Sequence, residues 1–181
     1  MKVLLIIPAY NEEENILNTI NKIKEYSDEI DYVVINDGSK DKTEEILTNN
    51  NINHIKLVKN LGIGGAVQTG YKYAYENNYD IAIQFDGDGQ HDVNYVPKIC
   101  EPLLEGQADM VIGTRYLDKT SSEFQSTFMR RLGSSIISFF IKISTRNKIT
   151  DPTSGFRAAN KKIIEEFAKE YPKEYPEPES T

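Results

Sequence analysis

The chain has 181 residues, the length of one compact domain with a sizeable core. It carries 21 Lys and Arg against 28 Asp and Glu, and the resulting charge of −7 disfavours nucleic acid as a partner. Cys100 is the single cysteine and no signal-peptide pattern opens the sequence, so we expect a cytoplasmic protein. The most apolar stretch, Ile136 to Ile143, is far shorter than the ~20 residues that cross a bilayer.

Short apolar runs alternate with longer amphipathic segments, a pattern that predicts an α/β fold with a mostly parallel sheet. The predicted strands are Val3–Ile7, Tyr32–Ile35, Ile55–Val58, Ile81–Phe85 and Met110–Ile112. Capping-box spacing predicts helices that begin near Asn11 (with Glu14) and near Asp41 (with Glu44). Further helices are predicted over Gly65–Asn77, after Asp92 in a form that Pro97 and Pro102 shorten or kink, and over Lys161–Lys169.

The C-terminal third contains two unusual segments. Phe128 to Arg146 is amphipathic and basic, so it is expected either to pack in the core or to lie on an anionic membrane surface. The Pro- and Glu-rich residues 171–181 preclude regular structure and read like an interior loop, so we expect the sequence to be cut short there.

Every predicted strand is followed by a cluster of polar residues. The clusters are Pro8–Glu13, Asn36–Ser39, Lys59–Gly62, Asp86–Asp92 and Gly113–Tyr116. Open α/β sheets bind their ligands at the carboxyl ends of their strands. One crevice is therefore expected to collect all five clusters.

Two carboxylates with one glycine between them follow the fourth predicted strand. Asp86 and Asp88 can turn toward one hard cation without crowding, and Gln90 can add a third oxygen. Such a set is typical of Mg²⁺ or Mn²⁺ sites that leave positions open for substrate phosphates. The alternative is an ordinary polar turn, because Asp-Gly is a common turn pair. An EF-hand is excluded, since His91 and Pro97 stand where its loop needs Gly and Glu.

The third cluster leads into a glycine-rich stretch that matches no phosphate-binding loop. Val67 stands where G-x-G-x-x-G needs its last glycine, and Tyr71 follows Gly70 where a P-loop needs lysine. These glycines either let the loop approach a ligand closely or serve only as turn residues.

Other polar residues suit a nucleotide and its phosphates. Asp37 can accept a hydrogen bond from a nucleobase N–H while Tyr10 or a neighbour stacks on the ring, although Asp-Gly-Ser is also a routine turn. Arg115 is favoured for donor phosphate, and the pair Arg130 and Arg131 for a second anionic substrate; the alternative is a solvated helix face.

In combination these motifs resemble family 2 glycosyltransferases with the GT-A fold, a three-layer sandwich. The segments that carry the resemblance are Pro8–Glu13, Val34–Thr43, Asn60–Ala66, Phe85–Asp92 and Asp151–Arg157. The branch they resemble most contains dolichol-phosphate mannosyltransferases and bacterial polyprenyl-phosphate glycosyltransferases. Residues 1–170 are then expected to form the catalytic domain.

The resemblance implies a nucleotide-diphosphate-sugar donor and assigns a role to each matching residue. Donor contacts are implied for Pro8, Tyr10, Glu12, Asp37, Asn60, Gly64, Asp86 and Arg115. Metal ligands are implied in Asp86, Asp88 and Gln90, and a catalytic set in Asp88, Arg115 and Arg131. Acceptor contacts are implied for Arg130, Arg131, Ser154 and Arg157.

The implied reaction is an inverting transfer to a polyprenyl phosphate on the cytoplasmic face of a membrane. An acceptor phosphate is already anionic and needs no general base, whereas a saccharide hydroxyl would need one, for which Asp151 is the candidate. Two alternatives remain, a transferase that acts on such a hydroxyl and a non-catalytic nucleotide-sugar-binding module. The sequence leaves open the nucleobase, the sugar and the oligomeric state.

Overall fold

The computed structural model describes residues 1–27, 30–87, 92–113 and 154–170. In this part of the chain six strands form one sheet. They are β1 (Val3–Ala9), β2 (Asp31–Asn36), β3 (His54–Lys56), β4 (Ile81–Gln84), β5 (Met110–Ile112) and β6 (Arg157–Asn160). Their order across the sheet is β3-β2-β1-β4-β6-β5. The first four strands are mutually parallel, and β6 runs antiparallel to both β4 and β5.

The helices of the described residues connect these strands. They are α1 (Ile16–Tyr26), α2 (Thr43–Asn49), α3 (Gly62–Glu76), α4 (Val96–Leu104) and α5 (Lys161–Lys169). A short 3-10 turn, Val93–Tyr95, leads into α4. Asn160 caps α5, because its side chain accepts hydrogen bonds from the amides of Lys162 and Ile163.

The alternating side chains of β1 build two cores on opposite faces of the sheet. Leu5 and Ile7 pack with α1 and α4, whereas Leu4 and Ile6 pack with α3 and α5. All four are fully buried, and burial of each stabilises the fold by about 1.5–3 kcal/mol. The predicted three-layer α/β sandwich with a mostly parallel sheet is therefore confirmed.

The α3 helix packs closely on the sheet at one glycine. A side chain at Gly70 would overlap the side chain of Ile6, with the ideal Cβ only 2.9 Å from its Cγ1. Gly70 therefore lets α3 approach β1 closely. The helix begins at Gly62 rather than at Gly65.

The predictions differ from the structure in two further places. The third strand covers His54–Lys56 rather than Ile55–Val58, and Val58 is fully exposed at 103%. The strand β6 was not predicted, because Arg-Ala-Ala-Asn has neither an apolar run nor an alternating pattern. Residues 114–153 and 171–181, with the basic stretch and the tail, lie outside the described residues.

The two capping boxes have different outcomes. The first is wrong: Asn11 has a positive φ of 57° and α1 begins at Ile16. The second is half right, since Asp41 Oδ1 accepts from the Thr43 amide at 3.0 Å near the start of α2. Glu44 does not complete it, because its carboxylate accepts a hydrogen bond from Asn36 Nδ2 at 2.6 Å.

Candidate functional site

Adjacent parallel strands bring the first two polar clusters together. The register of β1 and β2 places Ala9 opposite Asn36, and the Asp37 amide donates to the Ala9 carbonyl at 2.9 Å. The chain therefore leaves both strands at the same edge. Tyr10 follows directly and is 42% exposed at this edge, as a residue that stacks on a ligand would be.

The Asp37 carboxylate joins the second cluster to the third. Its Oδ1 accepts a hydrogen bond from the Leu61 amide at 2.7 Å, and the residue is only 3% exposed. Burial raises the pKa of the Asp37 carboxyl above its usual range, and hydrogen bonds from the amides of Leu61 and Gly62 partly offset that rise. Asp37 thus holds the β3–α3 loop against the end of β2.

The adjoining Gly38 allows this close approach. It has φ +69°, and a Cβ there would lie 2.8 Å from the backbone nitrogen of Asn60. Any other residue would separate the two loops. Asn60 accepts from the Gly62 amide at 3.0 Å, and Gly64 lies in the first turn of α3, so the structure brings Asp37, Asn60 and Gly64 into one region.

A set of hydrogen bonds fastens the loop after β1 to the loop after β2. The Asn11 amide donates to Ser39 Oγ at 3.0 Å, and Asn11 Oδ1 accepts from the Lys40 amide at 2.9 Å. The Glu12 amide donates to Thr43 Oγ1 at 2.9 Å, and the Glu12 carboxylate accepts from Asn15 Nδ2 at 3.1 Å. We call residues 11–13 and 39–43 the loop clasp.

The loop clasp includes a reciprocal pair at its outer end. The Glu13 amide donates to Asp41 Oδ2 at 3.1 Å, and the Lys42 amide donates to Glu13 Oε2 at 2.9 Å. Burial raises the pKa of the Asp41 carboxyl, but hydrogen bonds from Thr43 and from the Glu13 amide outweigh it and leave that pKa lowered. Sequence reasoning treated Asn11 only as a helix cap and gave no role to Ser39 or Thr43, although all three lie in the recognised motifs.

The loop after β4 is held against the ends of β1 and α1. The Gly87 carbonyl accepts a hydrogen bond from Thr19 Oγ1 at 3.0 Å, and a Cβ on Gly87 would lie 3.0 Å from the Pro8 carbonyl oxygen. Asp86, the first residue of the predicted metal pair, is half-buried beside this contact. The structure therefore brings Pro8 and Asp86 to the same edge.

The segment of residues 154–157, which we call the SGFR turn, packs directly on Asp86. An ideal Cβ on Gly155 would lie 2.6 Å from Asp86 Oδ1 and closer still to Oδ2. Ser154 is fully buried and its Oγ accepts from the Phe156 amide at 3.2 Å. Arg157, only 9% exposed, donates from Nε to the Ser154 carbonyl at 2.8 Å.

The residues that could hold a divalent metal are only partly described. Asp86 lies at the predicted edge, whereas Asp88 and Gln90 lie outside the described residues, as do Arg115, Arg130, Arg131 and Asp151. The donor set of two carboxylates and one amide oxygen suits Mg²⁺ or Mn²⁺. Asp86 thus fits such an ion in chemistry and in place.

No helix within residues 1–27, 30–87, 92–113 or 154–170 has the length and apolar content needed to cross a membrane.

The thiol of Cys100 is buried in the α4 core, and burial raises its pKa to about 11.

Comparison with protein families gives one match across nearly the whole chain. The model described as Glycosyl transferase family 2 matches residues 4–168. The matches to curated proteins cover a similar share of this chain. One is a UDP-N-acetylglucosamine–dolichyl-phosphate N-acetylglucosaminyltransferase of Methanococcus voltae, 33% identical over 93% of this chain and 73% of that protein.

Two further relatives carry related names. A dolichol-phosphate mannosyltransferase of Pyrococcus furiosus is 34% identical over 91% of this chain and 48% of its own length. An undecaprenyl-phosphate mannosyltransferase of Micrococcus luteus is 30% identical over 87% of this chain and 66% of its own length. This chain therefore spans about half to three quarters of the length of these relatives.

Among solved structures, the chain resembles glucosyl-3-phosphoglycerate synthase from Mycobacterium tuberculosis. The crystal structure of that enzyme with Mn²⁺, UDP-glucose and phosphoglyceric acid superposes with a TM-score of 0.67 and 21% identity. The match covers 90% of this chain and 57% of the synthase. At that identity the likeness shows the fold alone, and it confirms the predicted GT-A fold.

Proposed function

Because the chain belongs to glycosyl transferase family 2, we propose that it transfers a sugar, with inversion, from a nucleotide-diphosphate-sugar to a polyprenyl phosphate. The observation that carries the proposal is the meeting of three loops and the SGFR turn at one edge of the sheet, with Asp86 between them. The names of the relatives, which act on dolichyl or undecaprenyl phosphate, support the acceptor class. Residues 1–170 form the catalytic domain in this proposal.

The nucleoside binds at the carboxyl ends of β1 and β2 in this proposal. Tyr10 is exposed there for stacking, and the Asp37 carboxylate, which the Leu61 amide holds through Oδ1, is proposed to accept a hydrogen bond from a nucleobase N–H. Pro8, Glu12, Asn60 and Gly64 complete the donor contacts. The loop clasp supports this assignment, because it holds the backbone of the Tyr10 loop against the Asp37 loop.

The diphosphate lies toward Asp86. A divalent ion held there by Asp86, Asp88 and Gln90 would stabilise negative charge on the leaving diphosphate. Arg115 and Arg131, with Arg130 as the alternative, are proposed to bind phosphate groups through their guanidinium donors. These arginines and Asp88 form the catalytic set, and their roles rest on the family motif.

Transfer needs little more from the chain than alignment of its two substrates. An acceptor phosphate oxygen attacks the anomeric carbon, the bond from that carbon to the diphosphate oxygen breaks, and the nucleoside diphosphate leaves. No proton has to be removed, because the attacking phosphate is already ionised. The SGFR turn borders the acceptor side, and Ser154 and Arg157 are proposed to shape it.

A polyprenyl acceptor places the reaction at a membrane surface. We propose that the chain acts peripherally on the cytoplasmic face, where the basic stretch Phe128–Arg146 would meet anionic lipid.

The first test is calorimetric titration of the chain with UDP- and GDP-sugars, once with Mn²⁺ and once with EDTA. We expect saturable binding of one donor that requires the metal. That result would also identify the nucleobase. A folded chain that binds neither donor in either condition would contradict the proposal.

The second test compares three acceptors with the donor so identified: a polyprenyl phosphate, the matching polyprenol and a saccharide. We expect transfer to the phosphate and none to the polyprenol, because only the phosphate provides an ionised oxygen. Transfer to the saccharide hydroxyl instead would favour the alternative in which Asp151 acts as base. Donor binding without any transfer would favour the non-catalytic module.

A further inference from the structure

Gly155 lies so close to the Asp86 carboxylate that there is no room for a side chain between them. The nearest atoms to an ideal Cβ at Gly155 are both carboxylate oxygens and the carboxyl carbon of Asp86, at 2.6 Å for Oδ1 and 2.8 Å for Cγ. No backbone atom is among these three neighbours. A methyl group at residue 155 would therefore meet the carboxylate of Asp86 before any of the main-chain atoms that surround the turn, and the carboxylate is the flexible end of its side chain.

The SGFR turn is anchored firmly enough to constrain that carboxylate. Arg157 begins β6 and pairs with Gln84 at the end of β4, two residues before Asp86. The hydrogen bond from the Arg157 side chain to the Ser154 carbonyl closes the turn around Gly155. The Phe156 carbonyl accepts from the Gly113 amide at 2.8 Å, and the Phe156 ring packs edge-on against Phe85.

We propose that Gly155 is a positioning residue for the donor site: having no side chain, it seats the SGFR turn on the Asp86 carboxylate and sets that group's orientation. The proposal rests on the proposed role of Asp86 in binding the metal and donor. Groups that orient a metal ligand typically change metal affinity when they are altered, although they do not touch the ion. The contact also joins the donor side to the acceptor side, because the same turn borders both.

The test is the Gly155→Ala variant, with Gly70→Ala as its matched control. Both substitutions add one methyl group that overlaps a side chain, Asp86 in the first case and the core residue Ile6 in the second. In calorimetry with Mn²⁺ and UDP or GDP, whichever the wild-type chain binds, we expect Gly155→Ala to bind roughly 10–100-fold more weakly. Gly70→Ala should bind as wild type at a temperature where it is folded.

The metal dependence separates positioning from general damage. Raising the Mn²⁺ concentration should bring nucleotide binding by Gly155→Ala back toward the wild-type level, since only the orientation of the Asp86 carboxylate changes and not the rest of the site. Wild-type affinity of Gly155→Ala with Mn²⁺, or an equal loss in Gly70→Ala, would overturn the proposal.

A thermal double-mutant cycle tests the contact independently of any ligand. Gly155→Ala should lower Tm in the wild-type background and have no effect beside Asp86→Ala, which removes the overlapping atoms. An equal decrease in Tm in both backgrounds would show that residue 155 does not contact the Asp86 carboxylate. If the wild-type chain binds no Mn²⁺ and nucleotide at all, the proposed function fails, while this cycle still decides whether Gly155 positions Asp86.

Discussion

The Asp37 carboxylate and the Leu61 amide are joined by a hydrogen bond of 2.7 Å that links the end of β2 to the start of α3. The acceptor is a nearly buried carboxylate. Its removal would leave the Leu61 amide without this partner, whereas the Gly62 amide would keep its bond to Asn60 Oδ1. Loss of a hydrogen bond to a charged group costs about 1–3 kcal/mol. Asp37 therefore has a structural role that is separable from its proposed contact with the nucleobase.

The comparison of Asp37→Asn with Asp37→Ala separates the two roles. Asn keeps one oxygen for Leu61 but presents an NH₂ group where the second oxygen stood, so it should retain stability and lose donor binding. Ala should lose both, with the free energy of unfolding lower by about 1–3 kcal/mol. Urea unfolding and calorimetry measure the two effects. Normal donor binding by Asp37→Asn would contradict the nucleobase contact.

Asn11 stabilises the loop clasp in two ways, through its side chain and through its backbone conformation. Asn11→Gly loses the hydrogen bond to the Lys40 amide, worth about 0.5–1.5 kcal/mol, but keeps the positive φ without strain. Asn11→Ala loses the bond and adds strain of about 1–2 kcal/mol. We expect urea unfolding to rank wild type above Gly and Gly above Ala. The reverse order of the two variants would show that the positive φ is not maintained in solution.

The loss of folding stability at low pH should depend on Asp41 and Glu44. Burial raises the pKa of the Glu44 carboxyl, but the hydrogen bond from the Asn36 side chain and the charges of Lys56 and His54 outweigh burial and leave that pKa lowered. The pKa of the Asp41 carboxyl is lowered in the same way by its hydrogen bonds from Thr43 and the Glu13 amide. A carboxyl whose pKa is lower in the folded state stabilises that state above its unfolded pKa. This stability is lost as pH falls through the folded pKa.

Urea unfolding between about pH 3 and pH 7 measures this effect, since unfolded Asp and Glu titrate near 3.9 and 4.3. Asp41→Asn and Glu44→Gln should each reduce the loss of stability on acidification. An unchanged slope in both variants would contradict the assigned interactions.

The fold was largely predictable because its main strands are apolar runs buried on both faces. The strand β6 was not, since Arg157–Asn160 has no apolar run of its own and joins the sheet by pairing with β4 and β5, far away in sequence. The pairing of β6 with β4 also creates the contact between Gly155 and Asp86, so no local sequence pattern could reveal that contact. Asn11 was mistaken for a helix cap because capping-box spacing is local, whereas its partners in the loop clasp are 28 and 29 residues away.

Cys100 offers a test of the α4 core that needs no substitution. Burial raises the pKa of its thiol to about 11, so little thiolate exists near neutral pH and the sulfur is shielded from reagents. We expect no reaction with a thiol-specific disulfide reagent in the folded chain and full reaction in denaturant. Rapid labelling under native conditions would show that α4 does not cover the sheet as described.

The metal prediction is tested by aspartates that flank β4 on its two ends. Asp86 follows the strand at the site, whereas Asp80 precedes it and accepts a hydrogen bond from the Lys2 amide at 2.9 Å. Asp86→Ala and Asp88→Ala should abolish Mn²⁺-dependent donor binding, because each removes a carboxylate ligand of the proposed site. Asp80→Ala loses a carboxylate at the other end of β4 and should bind donor and Mn²⁺ as wild type. Calorimetry with circular dichroism as the folding check measures this contrast, and undiminished binding by Asp88→Ala would exclude the metal site.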